Sequence, residues 1–307
     1  MEELLGKIYY YKPKRVAIAN DGSNFVYPFF NLLESNLLAI GIDVIDCNVC
    51  TASIISSSIK KIEADIGIFL YQENSNIKYL IFNNKGIPLF IGSIDKSYQI
   101  KEWKEIGNII NFDILDIYKN KILKLFEEKE EKIDHIVLNL NFSPLSKILP
   151  YITRMFSKRV TTLNSSETQT INISFEESLQ ISNELLKAYN ANLALTVDRL
   201  GERFNLQDMN GEVLDVLERA ISAITLGRNN IKKIYVLGER SLSLNSSIQT
   251  IRIKKLQEIS FDENILVVDT HRNSLIYPDI SWWFDPLVTF IFWYKDRFIY
   301  KKQQTKL

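Results

Sequence analysis

Ala191-Asn-Leu-Ala-Leu-Thr-Val-Asp198-Arg-Leu-Gly-Glu202-Arg203-Phe-Asn-Leu-Gln-Asp208-Met-Asn-Gly211-Glu-Val-Leu-Asp215 is the stretch from which the rest of the chain is read. Residues 193–197 are an apolar strand that ends in a charged loop. The pattern of a strand resumes at 204–207, and Asp208 to Gly211 reads as a tight turn. Two strands therefore flank a loop carrying Asp198, Arg199, Glu202 and Arg203. Acids gathered at the tip of a buried strand suit a hard cation such as Mg²⁺. The same acids and arginines can equally pair with each other in water.

Working outward, the chain alternates. Residues 15–19 are a short strand, followed by the turn-forming Asn20-Asp21-Gly22-Ser23-Asn24. Residues 27–40 have helical apolar spacing and stop at Gly41, a C-terminal cap. A strand at 43–47, a helix at 51–62 and a strand at 65–70 follow. This order predicts a mostly parallel sheet covered by helices. Residues 71–76 read as a polar loop, and 77–82, the turn 83–86 and 87–90 as a hairpin-like addition. A long charged helix is expected over 112–132, ending in a solvated charge run. The alternation returns with a strand at 135–140, a helix at 145–156, a strand at 160–163 and a helix at 174–189 with Ser174 as N-cap. Strands at 233–237, 248–253 and 265–268 and a helix at 287–294 complete the α/β pattern. The implied divisions are 1–130, 131–229 and 230–307.

The 307 residues are 46% hydrophobic, with 37 Lys+Arg against 37 Asp+Glu. A net charge of zero supplies no electrostatic reason to expect nucleic acid or an anionic membrane as partner. Cys47-Asn-Val-Cys50 is the one thiol pair, and a redox role would need a helix N-terminus. It reads more simply as two small residues at a strand end. His135, at a strand start, reads as structural. No secretion signal is visible and 287–294 is too short to cross a bilayer, so a cytoplasmic protein is expected. Trp282, Trp283, Phe284, Phe290, Phe292, Trp293 and Tyr294 read as core or interface.

The opening stretch resembles the metal-binding segment of the phosphoglucomutase/phosphomannomutase (α-D-phosphohexomutase) family, "A-D-L-G-I-A-F-D-G-D-x-D-R-…-D-x-x-G". Ala191, Leu193, Asp198, Arg203, Asp208 and Gly211 fall in step with it without a gap. Ala64-Asp65-Ile-Gly67-Ile resembles the family's "A-D-x-G-I-x-I" before its phosphoserine loop. Ser274-Leu-Ile-Tyr-Pro-Asp279 resembles "G-H-x-I-F-P-D", just after its sugar-reading loop. The resemblance spans roughly 16–298 and implies three consecutive α/β/α domains with mixed, mostly parallel sheets. The family's fourth domain, which carries a second phosphate-binding loop, has no counterpart in it.

The departures fall where the resemblance places the chemistry. Leu200 and Glu202 stand where the second and third metal aspartates would be, leaving Asp198 and Glu202 as candidate ligands. Mg²⁺ is implied only if that site functions; otherwise no cofactor is expected. Glu73 takes the place of the phosphorylated serine, and Ser75 is a nucleophile only in a shifted register. Asp21 is kept from the family's "R-D-x-R" phosphate loop, with Asn20 and Ser23 in place of its arginines. Asp21, Ser23, His271 and Arg272 remain candidates for holding substrate, and Arg203 for a catalytic part. Glu73 is expected to pair with Arg199 or Arg203. The implied function is a catalytically inactive relative that binds a hexose phosphate or nucleotide sugar, or an intact mutase or other protein. The alternative is an active, Mg²⁺-dependent phosphohexomutase with a rearranged site.

Overall fold

Three sheets built on one plan organise the chain. The computed structural model describes residues 1–92, 98–126, 132–166, 173–227, 231–244 and 248–304, the stretch 297–304 by its backbone alone. The chain forms two compact units, one within Met1–Lys119 and the other from Asn120 onward.

In the first unit, α1 (Glu2–Tyr10) leads to β1 (Arg15–Asn20), α2 (Tyr27–Ala39), β2 (Asp43–Val49) and α3 (Ala52–Ser58). Next come β3 (Ile66–Glu73), β4 (Asn76–Asn83) and β5 (Ile109–Asn111), and α4 (Leu115–Leu123) contains the unit boundary. The sheet order is β4-β3-β1-β2-β5. β1 is parallel to both neighbours, with Val16 opposite Val44 and Ile66. Its residues 16–20 are all buried, which is why the run is nearly continuously apolar rather than alternating. α2 begins with Pro28 in its first turn and ends in the expected Gly41. Ile42 N donates to Leu37 O and Gly41 N to Leu38 O, the paired bonds of a left-handed helix stop. Gly41 has φ +84°, and a Cβ there would lie 2.8 Å from Glu105 O.

The second unit holds two sheets. The first comes from β6 (Ile133–Asn139), α5 (Leu149–Phe156), β7 (Ser157–Leu163), α6 (Phe175–Tyr189), β8 (Leu193–Val197) and β9 (Phe204–Asp208). After α7 (Leu217–Gly227), the second comes from β10 (Lys233–Leu237), β11 (Gln249–Ile253), β12 (Ile265–Asp269) and β13 (Ser274–Ile276), before α8 (Pro286–Gln304). The orders are β7-β6-β8-β9 and β11-β10-β12-β13. Both repeat the core of the first sheet: a first strand flanked by two parallel strands, then an antiparallel hairpin partner. α6 carries the expected Ser174 cap, reinforced by Glu177 returning to the Ser174 N–H. α7 and α8 pack together, and Phe156 of α5 lies 4.9 Å from Phe290 and 5.0 Å from Tyr294 of α8, ring centre to ring centre. Trp283, Phe284, Phe290, Phe292, Trp293 and Tyr294 are buried, so most of the late aromatics are core. Trp282 is half-buried, edge-on to Phe261.

Three expectations need correction. The helix expected over 112–132 is only α4, and β5 precedes it on the sheet edge. Asp113 Oδ1 takes the Leu115 N–H, fixing a later start, and 127–131 lie outside the described residues. The helix expected over 145–156 is a 3₁₀ turn, Pro144–Lys147, followed by α5. Pro150 lacks an N–H and fits only a first turn, so the helix starts anew there. The polar loop expected over 71–76 is not a loop. β3 runs on to Glu73, β4 starts at Asn76, and only Asn74 and Ser75 connect them. Asn74 supplies the positive φ, +54°, that so tight a hairpin requires.

Candidate functional site

In sheets of this kind, ligands bind past the C-terminal strand ends where successive connections diverge. In the first sheet that place lies between β1 and β3, where the protein's own groups close it. Asp21 Oδ2 accepts from Gln72 N at 2.8 Å and Oδ1 from Ser23 N at 2.9 Å. Ser23 Oγ donates to Gln72 Oε1 at 2.6 Å, and Gln72 Nε2 donates to Asn74 O at 2.8 Å. Asp21 and Ser23 are both buried. Asn20 Oδ1 accepts from Gly22 N at 2.9 Å, folding the loop on itself. Beyond this stitch stand Glu73 and Ser75, both exposed. Glu73 is the last residue of the β3 ladder and Ser75 sits in the two-residue turn.

Cys47 and Cys50 are buried, unbridged thiols. Burial first, then the nearness of Cys50 and Asp46, pushes the Cys47 thiol well above its ordinary value. A thiol held protonated in this way is a poor nucleophile.

In the second unit, the loop from β8 to β9 presents Asp198, Arg199, Glu202 and Arg203. Asp198 Oδ1 accepts from the Glu202 and Arg203 N–H groups at 2.8 and 2.9 Å, so this acid shapes its own loop. Arg203 lies over the Phe175 ring, 4.1 Å from its centre, and pairs with Glu176 at 3.4 Å, at the start of α6. Glu202 is buried and turns toward the other sheet. Its Oε1 accepts from Trp283 Nε1 at 2.6 Å and its Oε2 from Arg272 Nε at 3.2 Å. Arg272 also donates through Nη1 to Asp269 Oδ2, and its Cζ lies 5.0 Å from the Phe284 ring centre. Asp269 Oδ1 takes the His271 and Arg272 N–H groups at 2.8 and 3.0 Å. Main-chain and amide bonds reinforce the junction: Phe204 N to Arg272 O at 3.0 Å, and Asn273 Nδ2 to Asn205 Oδ1 at 3.3 Å.

The electrostatics follow the burial. Desolvation raises Asp198 above the usual carboxylate value, against its two N–H bonds, Arg272 and Arg203. Desolvation also raises Glu202, with Arg272 opposing and Asp198 adding to the rise. Burial works to lower Arg272, but Glu202 and Asp269 hold its guanidinium above the ordinary value. His271, exposed at the end of β12, lies against Gly238, whose φ is +100°. A Cβ at Gly238 would lie 2.2 Å from Thr270 Oγ1, so only glycine lets the ends of β10 and β12 approach this closely.

This donor set does not fit Mg²⁺. Of the six carboxylate oxygens of Asp198, Glu202 and Asp269, five already accept hydrogen bonds, and only Asp198 Oδ2 does not. A near-octahedral cation needs several open oxygens and no fixed positive charge among them. Among the described residues, no group of three or more His, Cys, Asp or Glu side chains is arranged to hold a metal ion. Among the same residues, no helix is long and apolar enough to cross a membrane.

The hub of the site escaped sequence reasoning. Glu202, Arg272, Asp269 and Trp283 meet across as many as 81 positions. One signal was available: a tryptophan within an apolar cluster needs an acceptor for its N–H, and a buried glutamate needs donors.

Repeated α/β sheets, each with loops at its switch point, define the fold class of the chain. The chain is similar to curated proteins and solved structures of the phosphohexomutase family. It is 26% identical over 254 residues to a probable phosphoglucosamine mutase from Pyrococcus abyssi, covering 76% of this chain and 55% of that protein. It is 23% identical over 261 residues to the corresponding protein of Pyrococcus horikoshii, covering 79% of this chain and 57% of the other. The fold matches that of a phosphoglucomutase/phosphomannomutase family protein from Burkholderia thailandensis, with a TM-score of 0.70 and 15% identity over 96% of this chain and 72% of that one. No protein-family model matches the chain. The chain thus spans about half the length of the curated relatives it matches.

Proposed function

We propose that this phosphohexomutase relative binds a hexose phosphate without transferring its phosphoryl group. The observation that carries the reading is the two-residue connection between β3 and β4. Phosphoryl transfer depends on a nucleophile held in line with the phosphorus and on compensation of the phosphate charge. Glu73 at the ladder's end is a carboxylate that cannot become a phosphoserine. Ser75 lies in an exposed two-residue turn. The Asp21–Ser23–Gln72 stitch fills the crevice that such a nucleophile would face. Retained binding is supported by exposed His271 and half-exposed Arg272 at the C-terminal end of β12, the strand end at which sheets of this kind take ligands.

The test is incubation of the full chain with glucose 1,6-bisphosphate and Mg²⁺ followed by intact-mass measurement, with turnover of glucosamine 1-phosphate and glucose 1-phosphate assayed in parallel. The expected result is no phosphate adduct and no turnover, with saturable binding of the hexose phosphate by calorimetry. An adduct lost in Ser75→Ala would overturn the reading in favour of an active enzyme.

A further inference from the structure

The geometry points to a second binding site, a cavity between α7 and β10 that takes a small aliphatic amine as its ammonium ion. None of the residues lining it belongs to the junction of Glu202, Asp269, Arg272 and Trp283. The inference therefore holds whether or not the chain binds a hexose phosphate.

The cavity has a volume of about 120 Å³. Its apolar walls include Ile221 of α7 and Ile234 of β10, both buried, and Ile248 just ahead of β11. An apolar cavity of about 150 Å³ takes benzene, so this one has room for a body of roughly four or five heavy atoms. Its polar side selects the head group. Glu218 and Ser222 both line the cavity from α7. They stand four positions apart on one helix face, a spacing at which a single small cation can reach both side chains. Ser243 N donates to Glu218 Oε1 at 2.7 Å, tethering the carboxylate at the cavity. Thr225, another lining residue, donates its hydroxyl proton to Ser222 O at 3.1 Å. A carboxylate can only accept, and a hydroxyl whose proton is engaged can only accept. An anion would therefore meet the Glu218 charge, and a neutral alcohol would gain one ordinary hydrogen bond. An ammonium gains charge-assisted bonds while its alkyl body fills the apolar space.

The experiment titrates isobutylammonium into the full chain and reads the isoleucine methyl resonances by nuclear magnetic resonance. Isobutanol and isovalerate serve as neutral and negative probes of similar shape. Saturable shifts are expected at the methyls of Ile221, Ile234 and Ile248 with isobutylammonium. Isobutanol should bind at least about tenfold more weakly, and isovalerate should leave these methyls unmoved. Glu218→Gln removes the charge but keeps an acceptor for the Ser243 N–H, so it should bind isobutylammonium no better than isobutanol. Ser222→Leu, which fills the cavity, is the second variant in case Glu218→Gln does not fold, and it should abolish the shifts. No saturable shift at the three methyls of the wild-type chain would overturn the inference. So would isobutanol binding as tightly as isobutylammonium, or an amine affinity that neither variant lowers.

Discussion

Trp283 Nε1 donates to Glu202 Oε1 at 2.6 Å, joining the β8–β9 loop to the segment before α8 across 81 positions of sequence. Both residues are buried. Trp283→Phe keeps most of the ring and removes the donor, leaving one Glu202 oxygen without a partner. A loss of about 1–3 kcal/mol in unfolding free energy is expected. Urea denaturation checks it: a midpoint shift at unchanged slope supports the assignment, and no shift means water replaces the indole.

The raised Glu202 carboxyl sets a pH dependence of definite sign. Its folded value lies above its unfolded one, so between the two the native state holds the extra proton. Its contribution to stability is therefore largest below the ordinary glutamate value, falls as pH rises through the shifted value, and is constant above. Glu202→Gln removes this titration. The wild-type minus variant difference in unfolding free energy should decline with rising pH across that window. A flat difference would mean that Arg272 fully offsets the burial.

The stitch in the first unit can be cut at one residue. Gln72→Ala removes the acceptor of Ser23 Oγ and the donor to Asn74 O while sparing the main-chain bond to Asp21. We expect about 1–2 kcal/mol of destabilisation. Amide exchange should quicken around Gly22 to Phe25 and at the Asn74–Ser75 turn, with little change in the second unit. Exchange unaltered at those amides would show that the side chain is dispensable.

Phe156 is buried on α5 between Phe126, Phe290 and Tyr294. Phe156→Ala should cost about 3–5 kcal/mol by lost burial and the cavity left behind. Phe156→Leu should cost distinctly less. Calorimetric melting of the two variants side by side tests the order.

Much of the fold was legible because its strands are buried on both faces. Val16 to Ala19 and Ile265 to Val268 are unbroken apolar runs, Leu193 to Val197 is interrupted only by Thr196, and all became inner strands. Gly41 and Ser174 announced their helix ends through capping chemistry that operates within a few residues. The misreadings occurred where tertiary context decides. Tyr71 to Asn76 is polar and looks like a loop, yet Tyr71, Gln72 and Glu73 pair with β4 and only Asn74 and Ser75 form the turn. α1, with a short amphipathic pattern, and α7, behind the Asp208–Gly211 turn, gave no clear signal of their own. In the candidate site, Asp198 and Glu202 were visible as a pair, but the partner of Glu202 was not. Arg272 and Trp283 come from another sheet, and no spacing rule links residues so far apart.

The Asn74–Ser75 turn limits what point substitution can achieve. A serine introduced at 73 would hang from the last rung of a hydrogen-bonded ladder, with its backbone already committed to Asn76. Giving such a hydroxyl freedom to meet a substrate would require inserted residues, not exchanged ones. Engineering toward transfer activity should therefore begin with loop grafting, and a library confined to single replacements is searching the wrong space.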